Sequence, residues 1–301
     1  MLHVTLPGTG GTMPMKNRWL CTGLMQYEGV SLLIDCGEGT QIAIKEGGGK
    51  LHSIALLLIT HLHADHISGL PGLLLSMGNE GRTNPLTIIG PIGITQVVTA
   101  LRVIAPELPF DIYITEWTDP EQTVSTAGFT VTGFALRHTL PCLGYTVEIP
   151  RVGKFDVEKA TQKSVPLAVW SLLQKQKSAE YQGMIYQQSD VLGSPRKGLK
   201  VTYCTDTRPL EIIADQAQNA DLFICEGMYG EEEKIHKAVE TGHMTFREAA
   251  MLASAANPKT LWLTHFSPSL SAPSVYLTHA KNIFENTVCG FDGIHTNLSF
   301  E

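Results

Sequence analysis

The sequence predicts an α/β protein in which two β-sheets pack face to face and helices cover their outer surfaces. Apolar runs of strand length recur along the 301 residues, and several carry no charge, as in strands that are buried on both faces. Neighbouring runs in the first half of the chain indicate antiparallel pairs, whereas later runs alternate with helical segments. Apolar residues make up 43% of the chain, which is enough for a sizeable core.

Strands are predicted where the apolar runs occur, and helices where longer segments separate them. The runs 111–116 and 129–136 are expected to pair as an antiparallel meander. A capping box at residues 245–248, Thr-Phe-Arg-Glu, predicts the start of one helix. The predicted strands are 2–6, 31–35, 54–60, 86–89, 111–116, 129–136, 143–149, 199–204, 222–225 and 261–264. The predicted helices are 39–45, 67–77, 92–105, 210–219, 232–240, 245–256 and 272–284.

A metal site is predicted from residues 60–66, Thr-His-Leu-His-Ala-Asp-His, directly after the uncharged run 54–59. Histidine and carboxylate side chains crowd at the point where a strand ends and a loop begins, which is a usual place for chemistry in layered α/β proteins. Imidazole and carboxylate suit zinc, manganese or iron. His61 and His63 point the same way on an extended segment, whereas Asp65 and His66 lie beyond it. The cluster can therefore serve two neighbouring ions.

Four further polar residues stand at the ends of predicted elements. His138, Asp206 and His265 close apolar runs, and His243 precedes the helix 245–256. Taken alone, each of these residues is most simply interpreted as structural. Together with the motif at residues 60–66, they complete a predicted two-metal site. The predicted ligands are His61, His63 and His138 for one ion, Asp65, His66 and His265 for the other, and Asp206 as a bridge. A water held between two such cations would become the nucleophile.

The turn 7–12, Pro-Gly-Thr-Gly-Gly-Thr, follows the first predicted strand. It lacks the spacing of a dinucleotide-binding motif. A plain tight turn is the prediction, and close backbone approach to a phosphate is the alternative.

Charge is distributed unevenly along the chain. The formal net charge is −7, but residues 151–200 hold nine Lys and Arg against four acidic residues. This basic segment either binds nucleic acid through electrostatic attraction or is a solvated lysine-rich loop. The six cysteines are scattered without a C-x-x-C pair, as in reduced cytosolic proteins. With no membrane span or signal peptide in the pattern, a soluble cytoplasmic protein is expected.

These motifs resemble the metallo-β-lactamase superfamily, and within it most closely the ribonuclease Z family. The segment 35–41, Asp-Cys-Gly-Glu-Gly-Thr-Gln, and the segment 68–74 after the metal motif are similar to that family, as are Glu226 and the His-Met-Thr at 243–245. The resemblance implies a four-layer αββα sandwich, a single hydrolase domain over 1–301 and a basic arm at about 150–198. The chain differs from the family at Cys225, where the family has a histidine, and in the arm, which lacks a Gly-Pro dipeptide.

The resemblance also implies residue roles and partners. Asp65 would be a metal ligand and general base, and His243, oriented by Glu226, would stabilise or protonate the leaving oxygen. Asp35 would accept the free N–H of a ligand histidine, or else serve only as a strand-end turn residue. The implied substrate is precursor tRNA, which a homodimer would cut near its 3′ end. Each site would hold two divalent ions, and zinc is the expected metal, with manganese or iron as alternatives.

Two other functions are consistent with the same residues. A metal-dependent phosphodiesterase or other hydrolase for a small substrate would keep the site and use the basic segment as a lid or dimer contact. A non-catalytic nucleic-acid-binding protein would require a degenerate site, and the complete ligand set argues against it.

Overall fold

Two seven-stranded β-sheets form the larger of two units in the computed structural model, which describes residues 1–301. This unit comprises Met1–Ile149 and Leu199–Ser299. The strands are β1 (Leu2–Gly8), β2 (Thr22–Tyr27), β3 (Val30–Ile34), β4 (Ile54–Leu58), β5 (Leu86–Pro91), β6 (Ile112–Trp117), β7 (Glu121–Thr126), β8 (Phe129–Leu136), β9 (Cys142–Arg151), β10 (Ser178–Tyr181), β11 (Met184–Gln187), β12 (Arg196–Cys204), β13 (Leu222–Glu226), β14 (Leu261–Thr264), β15 (Thr287–Cys289) and β16 (Ile294–Leu298). The helices are α1 (Thr40–Glu46), α2 (Ala64–Ile67), α3 (Leu70–Asn79), α4 (Ile94–Leu101), α5 (Val157–Gln162), α6 (Leu167–Leu173), α7 (Glu211–Ala217), α8 (Ile235–Thr241), α9 (Phe246–Ala256) and α10 (Leu277–Lys281).

Each sheet has a parallel half and an antiparallel half. The first sheet has the order β16-β1-β2-β3-β4-β5-β6, in which β3 to β6 are parallel. The second has the order β15-β14-β13-β12-β9-β8-β7, in which β12 to β15 are parallel. Parallel strands present their carboxyl ends at one edge of a sheet, so the residues that follow them are brought together.

The layers explain why the parallel strands are apolar throughout. In β4, Leu57 packs in the same buried cluster as Leu73 of helix α3, which covers the outer face of the first sheet. In β14, Leu263 clusters with Phe246 of α9, which covers the second sheet. Residues alternating with these point inward, where the two sheets meet. A strand buried on both faces has no polar positions in its run, and the predicted αββα sandwich is confirmed.

Several predicted elements differ from the structure. The runs 111–116 and 129–136 do not form a meander, because β6 lies in the first sheet and β8 in the second. The antiparallel partners of β8 are β9 and β7, and the alternating residues of β7 form no apolar run. The helix predicted at 67–77 is two helices, α2 and α3, that are separated at Ser68 and Gly69. The capping box is confirmed, with reciprocal bonds between Thr245 and Glu248.

The smaller unit comprises Pro150–Gly198 with Phe300 and Glu301. It contains α5, α6 and the antiparallel hairpin β10–β11. Its small core consists of Ala160, Val165, Val169, Leu173, Ala179 and Val191. The single hydrolase domain expected over 1–301, with its arm, stays a prediction.

None of the helices combines the length and the apolar composition that crossing a lipid bilayer requires.

Candidate metal centre

Polar residues follow four strands of the two sheets and gather at one place. Asp35 follows β3, the motif 60–66 follows β4, Asp206 follows β12 and His265 follows β14. The ring of His138, just after β8, joins them, with its Nε2 atom 3.2 Å from Nδ1 of His63. The structure thus brings all seven predicted ligands together, although they are up to 204 positions apart in the chain.

Three of these strand-end residues have unusual backbone conformations. Asp35, Asp206 and His265 lie in the left-handed region, with φ values of 63°, 54° and 56°. This region costs non-glycine residues about 1–3 kcal/mol each when the surroundings enforce it. The conformation turns each side chain sharply out of its strand. Such outliers cluster at functional sites, and the sequence contains no local sign of them.

The first triad consists of His61, His63 and His138. Nδ1 of His63 lies 2.9 Å from Nε2 of His61 and 3.2 Å from Nε2 of His138. Nitrogens bound to one tetrahedral zinc ion at about 2.0–2.1 Å would lie roughly 3.3 Å apart. The three rings therefore aim their nitrogens at a common point, at close to the spacing that a single ion requires.

The second triad consists of Asp65, His66 and His265. Nε2 of His66 lies 3.3 Å from Nε2 of His265 and 3.4 Å from Oδ2 of Asp65. The distance from Nε2 of His265 to the same oxygen is 3.6 Å. These three atoms form a second group of ligand spacing beside the first.

Asp206 stands between the triads, and each of its oxygens faces a different one. Oδ1 lies 3.8 Å from Nε2 of His61 and 3.9 Å from Nε2 of His138. Oδ2 lies 3.3 Å from Nε2 of His66 and 3.1 Å from Nε2 of His265. This placement matches a carboxylate that bridges two cations.

The donor set fits metal ions better than a hydrogen-bond network. Oδ2 of Asp206 is buried without a hydrogen-bond partner despite its two nearby imidazoles, and Nδ1 of His265 is buried and unpartnered as well. A neutral imidazole carries only one N–H, so five rings that face one another cannot all be satisfied by mutual hydrogen bonds. Orphaned polar atoms of this kind are costly to bury unless a cation occupies the space between them.

A second layer of contacts fixes the rings of the predicted ligands. Asp35 is fully buried, with Oδ2 2.8 Å from Nδ1 of His66 and Oδ1 accepting from the backbone N–H of Thr60. The carbonyl oxygen of Gly242 lies 3.2 Å from Nδ1 of His138. Such partners set the tautomer that leaves the opposite nitrogen free for a metal. Asp35 therefore has both of the roles weighed from the sequence, as a partner of a ligand histidine and as a turn residue.

Electrostatics within the cluster keeps Asp206 ionised. Burial alone would raise the pKa of its carboxyl group, but the imidazoles of His265, His66 and His61 outweigh it and hold the pKa well below the usual range. Burial raises the pKa of Asp35, and the bonds from His66 and Thr60 oppose this.

His243 lies beside the two triads and is paired with a buried carboxylate. Its ring is 5.2 Å from that of His138 and 5.5 Å from that of His265. Nδ1 is 3.2 Å from Oε2 of Glu226, which is fully buried. Burial would lower the pKa of His243, but Glu226, Asp206 and Asp65 raise it to about 9. These carboxylates favour the protonated form of the imidazole, which lies next to the predicted metal ligands.

The turn 7–12 contacts residues of the site, a role that was not predicted from the sequence. The backbone N–H of Thr12 donates to Oδ2 of Asp65 at 2.7 Å. A Cβ atom on Gly11 would lie 2.6 Å from the ring of His265, so only glycine fits there. The glycines therefore allow close approach of the backbone to a ligand residue, rather than serving only a tight turn. The glycine-rich composition of the turn was the one available signal.

Comparison with known proteins identifies relatives of this chain. A family model described as "Beta-lactamase superfamily domain" matches residues 174–266, and one described as "Anti-Pycsar protein Apyc1" matches residues 2–98. Ribonuclease Z of Agathobacter rectalis is 54% identical over 301 residues, covering 100% of this chain and 99% of that protein. Ribonuclease Z of Lachnoclostridium phytofermentans is 52% identical, with the same coverage.

A similar fold occurs among solved structures. The crystal structure of the short form of human tRNase Z superposes with a TM-score of 0.72 and covers 99% of this chain and 100% of that one. Its sequence identity is 23%, so this likeness concerns the fold.

Proposed function

The chain belongs to the ribonuclease Z family and is a hydrolytic endoribonuclease of tRNA 3′ processing; we propose that it acts through two divalent ions, with zinc the expected metal. His61, His63 and His138 would hold one ion and Asp65, His66 and His265 the other, with Asp206 shared by both. When bound, such ions supply Lewis-acid activation of water and neutralise charge on the phosphate. One observation carries this proposal above all, namely that the two oxygens of Asp206 face different triads.

Asp65 is proposed as the general base. Its Oδ2 is held by the N–H of Thr12, so that Oδ1 remains available to accept a proton from the attacking water. The carboxylate is in the ionised form that a proton acceptor requires. Burial would raise its pKa, but hydrogen bonds from His265 and His66 bring it below the usual range.

His243 is proposed as the acid that acts on the leaving oxygen. Glu226 holds its Nδ1 side, which leaves Nε2 to donate a proton or a hydrogen bond. The carboxylate of Glu226 favours the protonated ring, which in that form can also stabilise negative charge on the phosphate. Glu226 is held in turn by two backbone N–H groups, at 2.6 Å from Thr207 and 3.0 Å from Met244. General acid–base assistance is typically worth about 10²–10⁴ in rate.

Residues 150–198 are proposed as an arm that binds the tRNA backbone. The surrounding segment 151–200 carries nine basic residues against four acidic ones, although the chain as a whole is acidic. Contacts with phosphates give binding that weakens steeply with salt. We also propose that two chains associate so that the arm of one serves the site of the other, and that the enzyme works in the cytoplasm, in keeping with its six free thiols.

Cleavage of a precursor tRNA transcript with a 3′ trailer tests this function. Wild-type protein loaded with zinc should cut the transcript once near the start of the trailer, and Asp65→Ala should abolish the cut. Asp119→Ala, which removes an exposed carboxylate elsewhere, serves as the control. Turnover of a small phosphodiester without cleavage of the transcript would instead select a small-substrate phosphodiesterase. Light scattering of the same preparation would test the dimer.

A further inference from the structure

Arg208 joins three segments that carry candidate site residues. It lies two positions after Asp206, and its backbone N–H donates to the carbonyl oxygen of Arg137, the residue before His138, at 3.1 Å. Its guanidinium donates to the main-chain carbonyl of His243. Arg208 therefore contacts the main chain next to His138 and at His243, and it lies close to Asp206 in the sequence.

The same guanidinium forms a two-pronged ion pair with Glu248. Nη1 donates to Oε2 at 3.1 Å, and Nη2 donates to Oε1. Both side chains are only 16% exposed, so this pair is screened less than an ion pair on the surface. The planar fork of arginine can make both bonds and still reach a carbonyl, which the single ammonium of lysine cannot do.

Glu248 has a second task, because it is part of the capping box of α9. Its Oε2 accepts from the backbone N–H of Thr245 at 3.0 Å. The helix begins three residues after His243. Through Glu248, Arg208 is thus fastened to the first turn of this helix and, through the carbonyl, to His243 itself.

His243 is consequently held at two points. Glu226 fixes the ring through Nδ1, and Arg208 fixes the main chain through the carbonyl oxygen. The residue before Arg208, Thr207, donates its N–H to Glu226. Aiming a ring requires control of both its side-chain torsions and the backbone that carries it, since an error of about 1 Å can cost roughly 10² in rate.

We propose that Arg208, with Glu248 as its anchor, is a positioning residue that aims His243 at the scissile phosphate. This inference rests on the proposed function, in which His243 assists the leaving oxygen. The guanidinium of Arg208 contacts Glu248 and the main-chain carbonyl of His243, so its proposed effect passes through His243.

The test compares Arg208→Gln and Glu248→Gln with a matched control. Glu248→Gln removes the ion pair but keeps a side chain that also serves in capping boxes, so the helix start is preserved. Arg247→Gln is the control, because the neighbouring Arg247 pairs with Glu232 on the surface, at 3.6 Å with 54% and 45% exposure. Each change is also made in a His243→Ala background. Steady-state cleavage of precursor tRNA and bound metal per chain are measured.

We expect Arg208→Gln to lower kcat by about 10–10²-fold with KM within about 2-fold and with metal content unchanged. Glu248→Gln should lower kcat by a smaller factor, about 3–10-fold, and Arg247→Gln should leave it at the wild-type value. In the His243→Ala background, Arg208→Gln should change kcat by less than about 2-fold, because the residue that it aims is gone.

Three results would overturn this inference. Wild-type kcat in both Arg208→Gln and Glu248→Gln would show that the contacts do not matter. A rise in KM alone would mean that Arg208 binds the RNA directly, and an equal loss in the His243→Ala background would mean a general structural role. Glu248→Gln keeps the test valid if Arg208→Gln fails to fold. The ratios between variants are also measurable on a small phosphodiester, so failure of the wild type to cut tRNA would count against the proposed function and not against this inference.

Discussion

The carbonyl oxygen of Gly242 lies 3.2 Å from Nδ1 of His138, so the residue immediately before His243 orients a predicted metal ligand. Gly242 ends helix α8 in the left-handed conformation, with φ of 76°. The same short segment therefore holds a ring of the first triad and then supplies the proposed acid. Binding of metal and positioning of the acid are coupled through one helix end.

Replacing Gly242 should disturb the first triad. In Gly242→Ala, the new Cβ would lie 3.0 Å from Nδ1 of His138, and the positive φ would be strained. We expect a stability loss of about 1 kcal/mol and weaker binding of one of two ions. Thermal unfolding and metal titration measure these effects. Gly29→Ala, with φ of 84° and nothing within 4 Å, reports the strain alone, so equal metal binding in both variants would contradict the prediction.

Loss of the shared carboxylate should affect both ions. Asp206→Ala removes the one side chain that faces both triads. We expect metal content to fall below two ions per chain, and cleavage of precursor tRNA to become undetectable. Elemental analysis of dialysed protein gives the metal content. Two firmly bound ions in this variant would show that the bridging role is wrong.

Removing the proposed acid should impair catalysis without loss of metal. His243→Ala is expected to lower kcat by about 10²–10⁴-fold, in the range of general acid–base assistance. Glu226→Gln should lower kcat less, because it keeps a partner for the ring but removes the negative charge that raises the pKa of His243. Single-turnover cleavage at saturating enzyme measures both. The prediction fails if His243→Ala releases the metal, since the ring would then be a ligand.

The capping box should contribute to stability. Thr245→Ala removes the hydroxyl that accepts from the backbone N–H of Glu248 at 3.3 Å. We expect the free energy of unfolding to fall by about 1 kcal/mol, as for other N-cap replacements. Denaturant titration measures this, and Thr245→Ser, which retains the hydroxyl, should behave close to the wild type. An equal loss in both variants would rule out the cap as the cause.

Thiol reactivity should distinguish one cysteine from the other five. Burial raises the pKa of both Cys21 and Cys289 to about 12, but Cys289 is the one cysteine of the six that is partly exposed. Because the thiolate is the reactive form, native protein should react slowly with a thiol reagent at pH 8, first at Cys289. Unfolded protein should titrate six thiols at once. Rapid reaction of several thiols in the native state would contradict the buried arrangement.

Much of the fold could be predicted where burial leaves a local pattern. Strands β3, β4 and β14 are buried on both sides and appear as uncharged runs. Strand β7 lies at a sheet edge with alternating exposed residues, and nothing in its composition separates it from a loop. The pairing of β6 with β8 was predicted wrongly because closeness in the chain does not determine which sheet a strand joins.

The site shows the same division. Residues 60–66 predict a metal site from the sequence because several ligand types are adjacent in the chain. Arg208 and Gly11 carry no such sign, since the site residues that they contact, His243 and His265, lie 35 or more positions away.

By itself the sequence determined which side chains are available as ligands and that they stand where apolar strands end, because composition and period are local properties. The division into two triads with Asp206 between them was also predicted from the sequence. Only the tertiary structure decided that these residues meet at ligand spacing, that the turn 7–12 contacts Asp65, and that Arg208 holds the main chain of His243. These relations arise because the strand ends of two different sheets come together at one place. No short stretch of the sequence encodes a contact between residues so far apart in the chain.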